Sequence, residues 1–484
     1  MHKRFVANIV ARILLIECCI MLLPLAWALY DNPHSQEVKA FAIAILGGAV
    51  LAGAFVFLFH IKKEDFKKIN AKDGLAIVGL SWVCLSLLGA APFCLGGVVP
   101  TYTDALFETV SGYTTTGASI FANVEVLPRG ILFWRSLTHW LGGIGIIVLY
   151  LAILPALGQT ALQLFRAEKS DLRGERLDPR IKETAKILCL MYLFLSLVQL
   201  TLHLIGDMPF FDALCHMFGT IATGGFSTKN FSLGAFNAYH QWVVILFMFL
   251  GGANFLLYYQ LWKGDIHNFL KNEEFRFYFY TTLIFVGLFT AVLSATALSK
   301  NSLRDAAFQV VSILTTTGYI TADYDQWPDL LRYALVLLMF VGGCTGSTSG
   351  GVKIIRFFLT LKICFRSVVQ TLYPNAVIPV KVDAHPLENK IIIGVLSFFS
   401  LYILLWLMGG LLLLATEACD IVTAFSAPIA MLSNVGPGLE RVGAVQNYGW
   451  MSLPGKWILT FLMLAGRLEL YPILILLQPS TWKK

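Results

Sequence analysis

The chain has 484 residues, of which 57% are hydrophobic and only 13% charged, with a formal net charge of +7 and a mean hydropathy of +0.71. Water-soluble domains carry about a quarter of their residues as charges, so this composition excludes a soluble globular protein and places the chain in a bilayer. No basic stripe with interleaved aromatics accompanies the positive charge, which excludes nucleic acid as a partner.

Ten apolar runs are long enough to cross a hydrocarbon core of roughly 30 Å. They lie near 7–30, 38–60, 74–98, 131–157, 183–206, 238–262, 277–299, 329–367, 389–417 and 453–477. The first follows Met-His-Lys-Arg, contains Arg12 and lacks a small-residue cleavage site after it, so it is expected to anchor and not to be removed. Lysine and arginine gather in "HIKKEDFKKINAKD" (60–73) and "FRAEKSDLRGERLDPRIKETAK" (165–186), whereas "DNPHSQEV" (31–38) has neither. The basic loops are therefore expected in the cytoplasm, with both termini on that side of the inner membrane. Nine scattered cysteines show no metal or disulfide spacing and read as packing residues.

Between the long runs a shorter pattern recurs. Asp104-Ala105-Leu106 begins thirteen residues before Gly117, Asp212-Ala213-Leu214 thirteen before Gly225, and Asp305-Ala306-Ala307 thirteen before Gly318. A weaker copy has Thr423-Ala424-Phe425 thirteen before Gly436, with the aspartate displaced to Asp420. A small pair begins 24 to 29 residues after each glycine: Gly142-Gly143, Gly251-Gly252, Gly342-Gly343 and Ala465-Gly466. These repeats divide the chain into a two-helix segment, 1–70, and four units at 71–165, 166–270, 271–370 and 371–484. The fold class is an all-α membrane protein of four pseudo-symmetric repeats around one pore.

Each unit reads as a long run, a half-length run of about a dozen residues, a Thr/Gly/Ser turn and a second long run. A half-length helix cannot span. The non-helical backbone that follows it at membrane depth is tolerated only where protein buries it or water lines it. A lone Thr-Thr-Thr-Gly is an ordinary turn, but two copies and two degenerate ones at one offset are a built feature. Glycine lets consecutive carbonyls turn toward an axis where a Cβ would resist, threonine adds hydroxyl oxygens, and the short helices aim their negative ends at the centre. That chemistry replaces the water shell of a dehydrated monovalent cation. Asp104, Asp212 and Asp305 are expected to cap the short helices, and His139 and His216, without partners at ligand spacing, to be packing residues.

The helix, pore-helix, filter, helix pattern resembles the potassium channel superfamily. The segments "TTTGAS", "ATGGFS", "TTTGYI" and "SNVGPG" resemble those of the bacterial Trk/Ktr/HKT potassium transporters, in particular the TrkH family, which carries the extra N-terminal helix pair. The resemblance covers nearly the whole chain. It implies potassium uptake through filter residues Thr115, Thr116, Gly117, Thr223, Gly224, Gly225, Thr316, Thr317, Gly318, Asn434, Val435 and Gly436. No copy has the full Thr-Val-Gly-Tyr-Gly of tetrameric potassium channels, which predicts fewer ordered ion sites. The resemblance further implies a homodimer, each protomer with its own pore, in membrane lipid and gated by a cytoplasmic TrkA-like ring. The nucleotide belongs to that ring, and this chain carries no cofactor beyond K+ as cargo.

Two features lie below the filter positions. The stretch Gly342, Gly343, Cys344, Thr345, Gly346, Ser347, Thr348, Ser349, Gly350, Gly351 is half glycine, so it is expected to be unwound and to act as a gate moved from Lys353 and Arg356. The stretch through Lys353 looks like a phosphate-binding loop, but Ile354 stands where Ser or Thr is required and the segment interrupts a transmembrane run. Arg467 sits inside an apolar run, where a charge costs at least about 2.5 to 3.5 kcal/mol unless it meets water or a partner. The repeat register aligns it with Ile144, Ala253 and Cys344, so it is expected to face the pore. An intramembrane hydrolase would need an activated nucleophile or a His-Glu-x-x-His metal pair, and neither occurs. An organic-solute transporter would favour inverted repeats. An ion-coupled K+/H+ or K+/Na+ symporter is the alternative to a gated channel.

Overall fold

A computed structural model describes residues 2–61, 70–153, 177–264 and 266–482. The stretches 62–69 and 154–176, which hold much of the two basic loops behind the orientation expectation, lie outside the described residues.

The helices follow in order: α1 (Lys3–Ile20), α2 (Leu22–Asp31), α3 (Gln36–Leu58), α4 (Ala71–Gly89), α5 (Ala91–Leu95), α6 (Tyr102–Tyr113), α7 (Arg129–Ile153), α8 (Leu177–Ile205), α9 (Phe210–Ile221), α10 (Ala238–Gly251), α11 (Phe255–Trp262) and α12 (Ile266–Lys271). Then come α13 (Glu273–Thr296), α14 (Ser302–Leu314), α15 (Asp329–Val341), α16 (Ile354–Leu372), a two-stranded hairpin of β1 (Lys381–Val382) and β2 (His385–Pro386), α17 (Asn389–Thr416), α18 (Ile421–Leu432), α19 (Leu453–Arg467), α20 (Tyr471–Leu477) and α21 (Pro479–Trp482). Among the described residues six of these, counting α1 with α2 and α4 with α5 as single spans, are long and apolar enough to cross a membrane.

The four-fold repeat is the organising feature. α4 with α5, α8, α13 and α17 are the first helices of the units, and α6, α9, α14 and α18 are the half-length pore helices. The pair α1–α2 and α3 stands outside this pattern, with α1 packed on α3 and α4.

The second long runs do not all form the continuous helices the apolar pattern predicts. α7 is continuous, α10 and α11 meet at a 95° bend, α15 and α16 are separated by residues 342–353, and α19 stops at Arg467. In the fourth unit Glu469 and Leu470 take φ of 54° and 63°, so the break is made without glycine. The small pairs explain where these helices sit. A Cβ on Gly142 would meet the carbonyl oxygen of Tyr113, one on Gly251 that of Ile221 and one on Gly466 that of Leu432. In units one, two and four the second helix thus lies backbone to backbone against the end of its own pore helix, whereas in unit three the pair Gly342-Gly343 packs against the 349–353 backbone and Gly252.

The aspartates expected as caps sit one turn inside the helices instead. Thr101 is the N-cap of α6 and accepts from the Asp104 N–H, while the Asp212 carboxylate accepts from Thr228 Oγ1 at 2.6 Å and that of Asp305 from Ser299 Oγ at 2.5 Å. Only Asp420, the displaced copy, caps its helix directly, through the Thr423 N–H at 2.8 Å. An acid anywhere in the first turn meets the positive helix end, so the charge pattern is kept while the capping atom differs.

Candidate functional site

All four pore helices end in one backbone motif. The N–H of Thr115, Thr223, Thr316 and Asn434 reaches three residues back, at 3.0–3.1 Å, and the next N–H, of Thr116, Gly224, Thr317 and Val435, reaches five back, at 2.7–2.9 Å. This is the Schellman closure of a helix, in which the first of those residues is left-handed and normally glycine. Here it is Thr, Thr, Thr and Asn at φ of 50°, 53°, 57° and 57°, a strain of about 1–2 kcal/mol per residue. Strain repeated at four equivalent points marks a functional geometry.

Two residues further on, Gly117, Gly225, Gly318 and Gly436 take φ of 81°, 84°, 78° and 99°. A Cβ on Gly117 would meet the Gly224 carbonyl oxygen, one on Gly225 that of Thr317, one on Gly318 that of Val435, and one on Gly436 that of Thr116. The contacts run from unit one to two, three, four and back to one. They form a closed ring, with four backbone carbonyls from one position of the repeat set against the neighbouring glycines.

The ring is braced from behind. Tyr448 donates to the Gly436 carbonyl at 2.8 Å, Tyr324 to that of Gly438 at 3.0 Å, and Tyr319 to that of Phe226 at 3.2 Å. His139 Nδ1 lies 2.9 Å from the Gly112 carbonyl while its Nε2 accepts the Phe226 N–H at 3.2 Å, which fixes a neutral tautomer behind the second segment. His216 similarly lies between the Asp212 carbonyl and Ser227 Oγ, at 2.7 and 2.9 Å. Both histidines are buried scaffold, as expected, though with polar partners that spacing alone did not reveal.

Two buried ion pairs complete the frame. Glu108 accepts from Arg135 Nε at 2.5 Å and from the Ile120 N–H at 3.0 Å, and Arg135 donates to the Ser227 carbonyl at 3.1 Å. Lys456 Nζ meets Asp104 Oδ1 at 2.6 Å and so ties unit four to unit one. On the outer rim Arg332 bridges Asp329 and Glu440, next to Asp325, whose carboxyl burial raises from its ordinary value. Charged residues inside apolar runs were the available signal for Arg135 and Lys456, but no regular spacing pairs Arg135 with Glu108, and the partner of Lys456 lies in another unit.

Above the ring opens a cavity of about 120 Å³, with Gly117, Gly225, Gly318 and Pro437 on its wall. Below it lies the 342–351 loop, unwound as expected and largely buried. The Gly350 N–H donates to Thr316 Oγ1 at 2.7 Å, directly under the third segment. Thr348 Oγ1 donates to the Ile221 and Gly251 carbonyls at 2.9 and 3.2 Å, the Cys344 N–H to Gly252 at 2.8 Å, and a Cβ on Gly350 would meet the Ser433 carbonyl. The loop therefore touches the base of units two, three and four.

Arg467 ends α19 and is 2% exposed. Its guanidinium donates to the Thr348 carbonyl at 2.6 Å and to the Gly142 carbonyl at 3.3 Å. It joins loop and first unit beneath the filter, and Nε keeps no partner. Lys353 and Arg356 are not free handles. Lys353 Nζ turns back to the Ser349 carbonyl at 2.8 Å, and Arg356 pairs with Glu469 at 2.6 Å. Glu274 on α13 holds the Thr345 N–H and hydroxyl at 2.6 and 2.7 Å; nothing in the repeat pattern pointed to it.

A ring of backbone oxygens between four half-helices, an outer cavity and a buried loop below defines a membrane cation-transport protein. A family model described as "TrkH: Cation transport protein" matches residues 34–484. The chain is 37% identical to the Trk system potassium uptake protein TrkH of Halomonas elongata and 36% identical to that of Escherichia coli K12, in each case over the full length of both chains. It superposes on the crystal structure of the potassium transporter TrkH from Vibrio parahaemolyticus with a TM-score of 0.89 and 34% identity, covering all of both. The chain belongs to the TrkH family, whose named members here are transport proteins and not enzymes.

Proposed function

We propose that this chain is the pore-forming subunit of a potassium uptake system, passing K+, and Rb+ as its close mimic, through the ring of Thr115–Gly117, Thr223–Gly225, Thr316–Gly318 and Asn434–Gly436. The observation that carries the reading is the closed circuit of glycine and carbonyl contacts through all four units. A dehydrated monovalent cation needs several oxygens at one level, and backbone carbonyls supply them without a fixed charge that would trap the ion. The potassium named in the relatives supports the choice of ion.

Residues 342–351 form the gate and Arg467 the pore charge in this reading. Because Lys353 and Arg356 are tied within the chain, a partner would move the loop through α16 and not by gripping those side chains. The protein sits in the inner membrane with both termini cytoplasmic, as a homodimer on a TrkA-like nucleotide-binding ring. The test is uptake of radioactive Rb+ into liposomes holding the purified protein, with and without an opposing Na+ or H+ gradient. Uptake that follows the Rb+ gradient alone supports a gated channel, and uphill uptake driven by the second gradient assigns the symporter. Failure of K+ to compete with Rb+ would sink both.

A further inference from the structure

Away from the filter, a pocket of about 440 Å³ opens between α13, α16 and the chain that leads into β1. Its wall is aromatic and aliphatic: Phe277 from the first turns of α13, Phe358 and Phe365 from α16, and Ile378. Phe277 and Phe358 lie 4.9 Å apart, centroid to centroid. Phe365 is 70% exposed and the adjoining Leu361 49%, so the pocket opens through an apolar rim of the kind that faces lipid.

Three cations line the same pocket: Lys362, Arg366 and Lys381. Lys362 is already engaged, by Glu273 at 2.6 Å and by the Lys381 carbonyl at 2.7 Å. The nearby Asp383 carboxylate is taken by the Glu273 N–H at 2.8 Å. Arg366 and Lys381 have no ion pair among the described residues, and Arg366 Nε is buried there without a hydrogen-bond partner. An orphaned guanidinium N–H beside a free ammonium, at the edge of an aromatic slot, fits an amphiphile with an anionic head.

We propose that this pocket binds an anionic phospholipid, with an acyl chain along Phe277, Phe358 and Phe365 and the phosphate between Arg366 and Lys381. A soluble anion would leave the apolar wall uncovered, and a zwitterionic lipid would leave the two cations less compensated. The place matters because α16 continues the 342–353 loop without interruption, so a lipid held on α16 bears on the helix through which that loop moves. The binding itself does not depend on which ion the pore passes.

The experiment places the full chain in nanodiscs of dioleoylphosphatidylcholine mixed with dioleoylphosphatidylglycerol and counts retained lipids by native mass spectrometry. The wild type retains phosphatidylglycerol in preference, and the double variant Arg366→Gln, Lys381→Gln loses that preference by about tenfold. Arg366→Lys keeps most of it, which separates lost charge from a damaged fold. Three results would overturn the proposal: equal retention by the double variant, displacement of the lipid by glycerol 3-phosphate alone, or an oxidative cross-link between Cys364 of two copies that excludes the lipid. The last would assign the pocket to a second copy of the chain, since Cys364 is exposed on the same helix.

Discussion

Two adjacent layers of this molecule obey different rules. In the filter layer the four units share one backbone pattern: the same two hydrogen bonds close each pore helix, and left-handed residues stand at the same two positions. In the layer beneath, the units diverge, with a continuous α7, a 95° bend, an unwound loop and a helix stopped at a buried arginine. In the proposed reading an ion on the axis needs equivalent oxygens from all sides, which accounts for the symmetry of this layer. If the 342–351 loop is the gate, as proposed, it is one element that moves while the others hold, which accounts for the asymmetry just below.

The largest expected effect comes from breaking the symmetric layer. In Gly318→Ala the new Cβ collides with the Val435 carbonyl and the left-handed backbone adds about 1–2 kcal/mol of strain. The ring oxygens must then move apart. We expect K+ preference over Na+ to fall by about tenfold in competition against Rb+ uptake, with the protein still inserted. The same substitution at Gly117, against Gly224, should act alike. Unchanged relative fluxes in both would remove the ring from the conduction path.

The second effect breaks the asymmetric layer. Deleting Thr345 to Gly350 removes Thr348, with its bonds to units two and four, and the Gly350 N–H under Thr316. The expected result is K+ flux without the regulatory partner. A deletion protein that folds, dimerises and still needs its partner would move the gate elsewhere.

The same contrast decides what was legible in the sequence. The four left-handed glycines were readable because four copies write the same requirement at one offset, and the unwound loop because glycine and hydroxyl residues crowd it. The bend in unit two and the break in unit four were hidden, since Gly251-Gly252 is identical to the Gly142-Gly143 pair in unbroken α7 and Ala465-Gly466 differs from it by one methyl group. Nothing local distinguishes a small pair that packs from one that breaks; the distinction comes from Asn254 capping α11 and from Glu469 and Leu470 turning left-handed. Asp104 was misplaced by three residues for a similar reason, because the first turn favours an acid at either position. Glu108 with Arg135 and Lys456 with Asp104 are pairs across long sequence separations, which one sequence does not display.

Arg467 stands between the layers, and its removal should have an intermediate effect. A cation under the ring repels the passing ion in a low-dielectric site, and the same guanidinium holds the Thr348 carbonyl. Both actions oppose flux. Arg467→Ala should therefore raise the Rb+ uptake rate at equal expression, about fivefold if the lost bond is worth about 1 kcal/mol net. A slower, well-inserted variant would show that the arginine assists conduction instead.

The smallest effect sharpens the comparison from outside the four units. Glu17, on the extra helix α1, is 2% exposed and accepts from Tyr113 Oη at 2.6 Å. Its second oxygen has no partner, and no cation pairs with it among the described residues. Tyr113 is the last residue of the first pore helix, immediately before Thr114 and the filter. The corresponding residues of units two to four, Ile221, Leu314 and Leu432, have side chains that cannot make this bond, so it adjusts stability at one corner of a ring whose geometry is already fixed by the other contacts. Glu17→Gln keeps an acceptor of the same shape for the tyrosine and should be close to neutral. Glu17→Ala leaves the Tyr113 hydroxyl unsatisfied, at a cost of about 1–3 kcal/mol, and should lower the melting temperature in detergent while leaving the K+ to Na+ ratio alone. If the ratio shifts in Glu17→Ala as much as in Gly318→Ala, the N-terminal helices are part of the filter and the division into a symmetric layer and its supports fails.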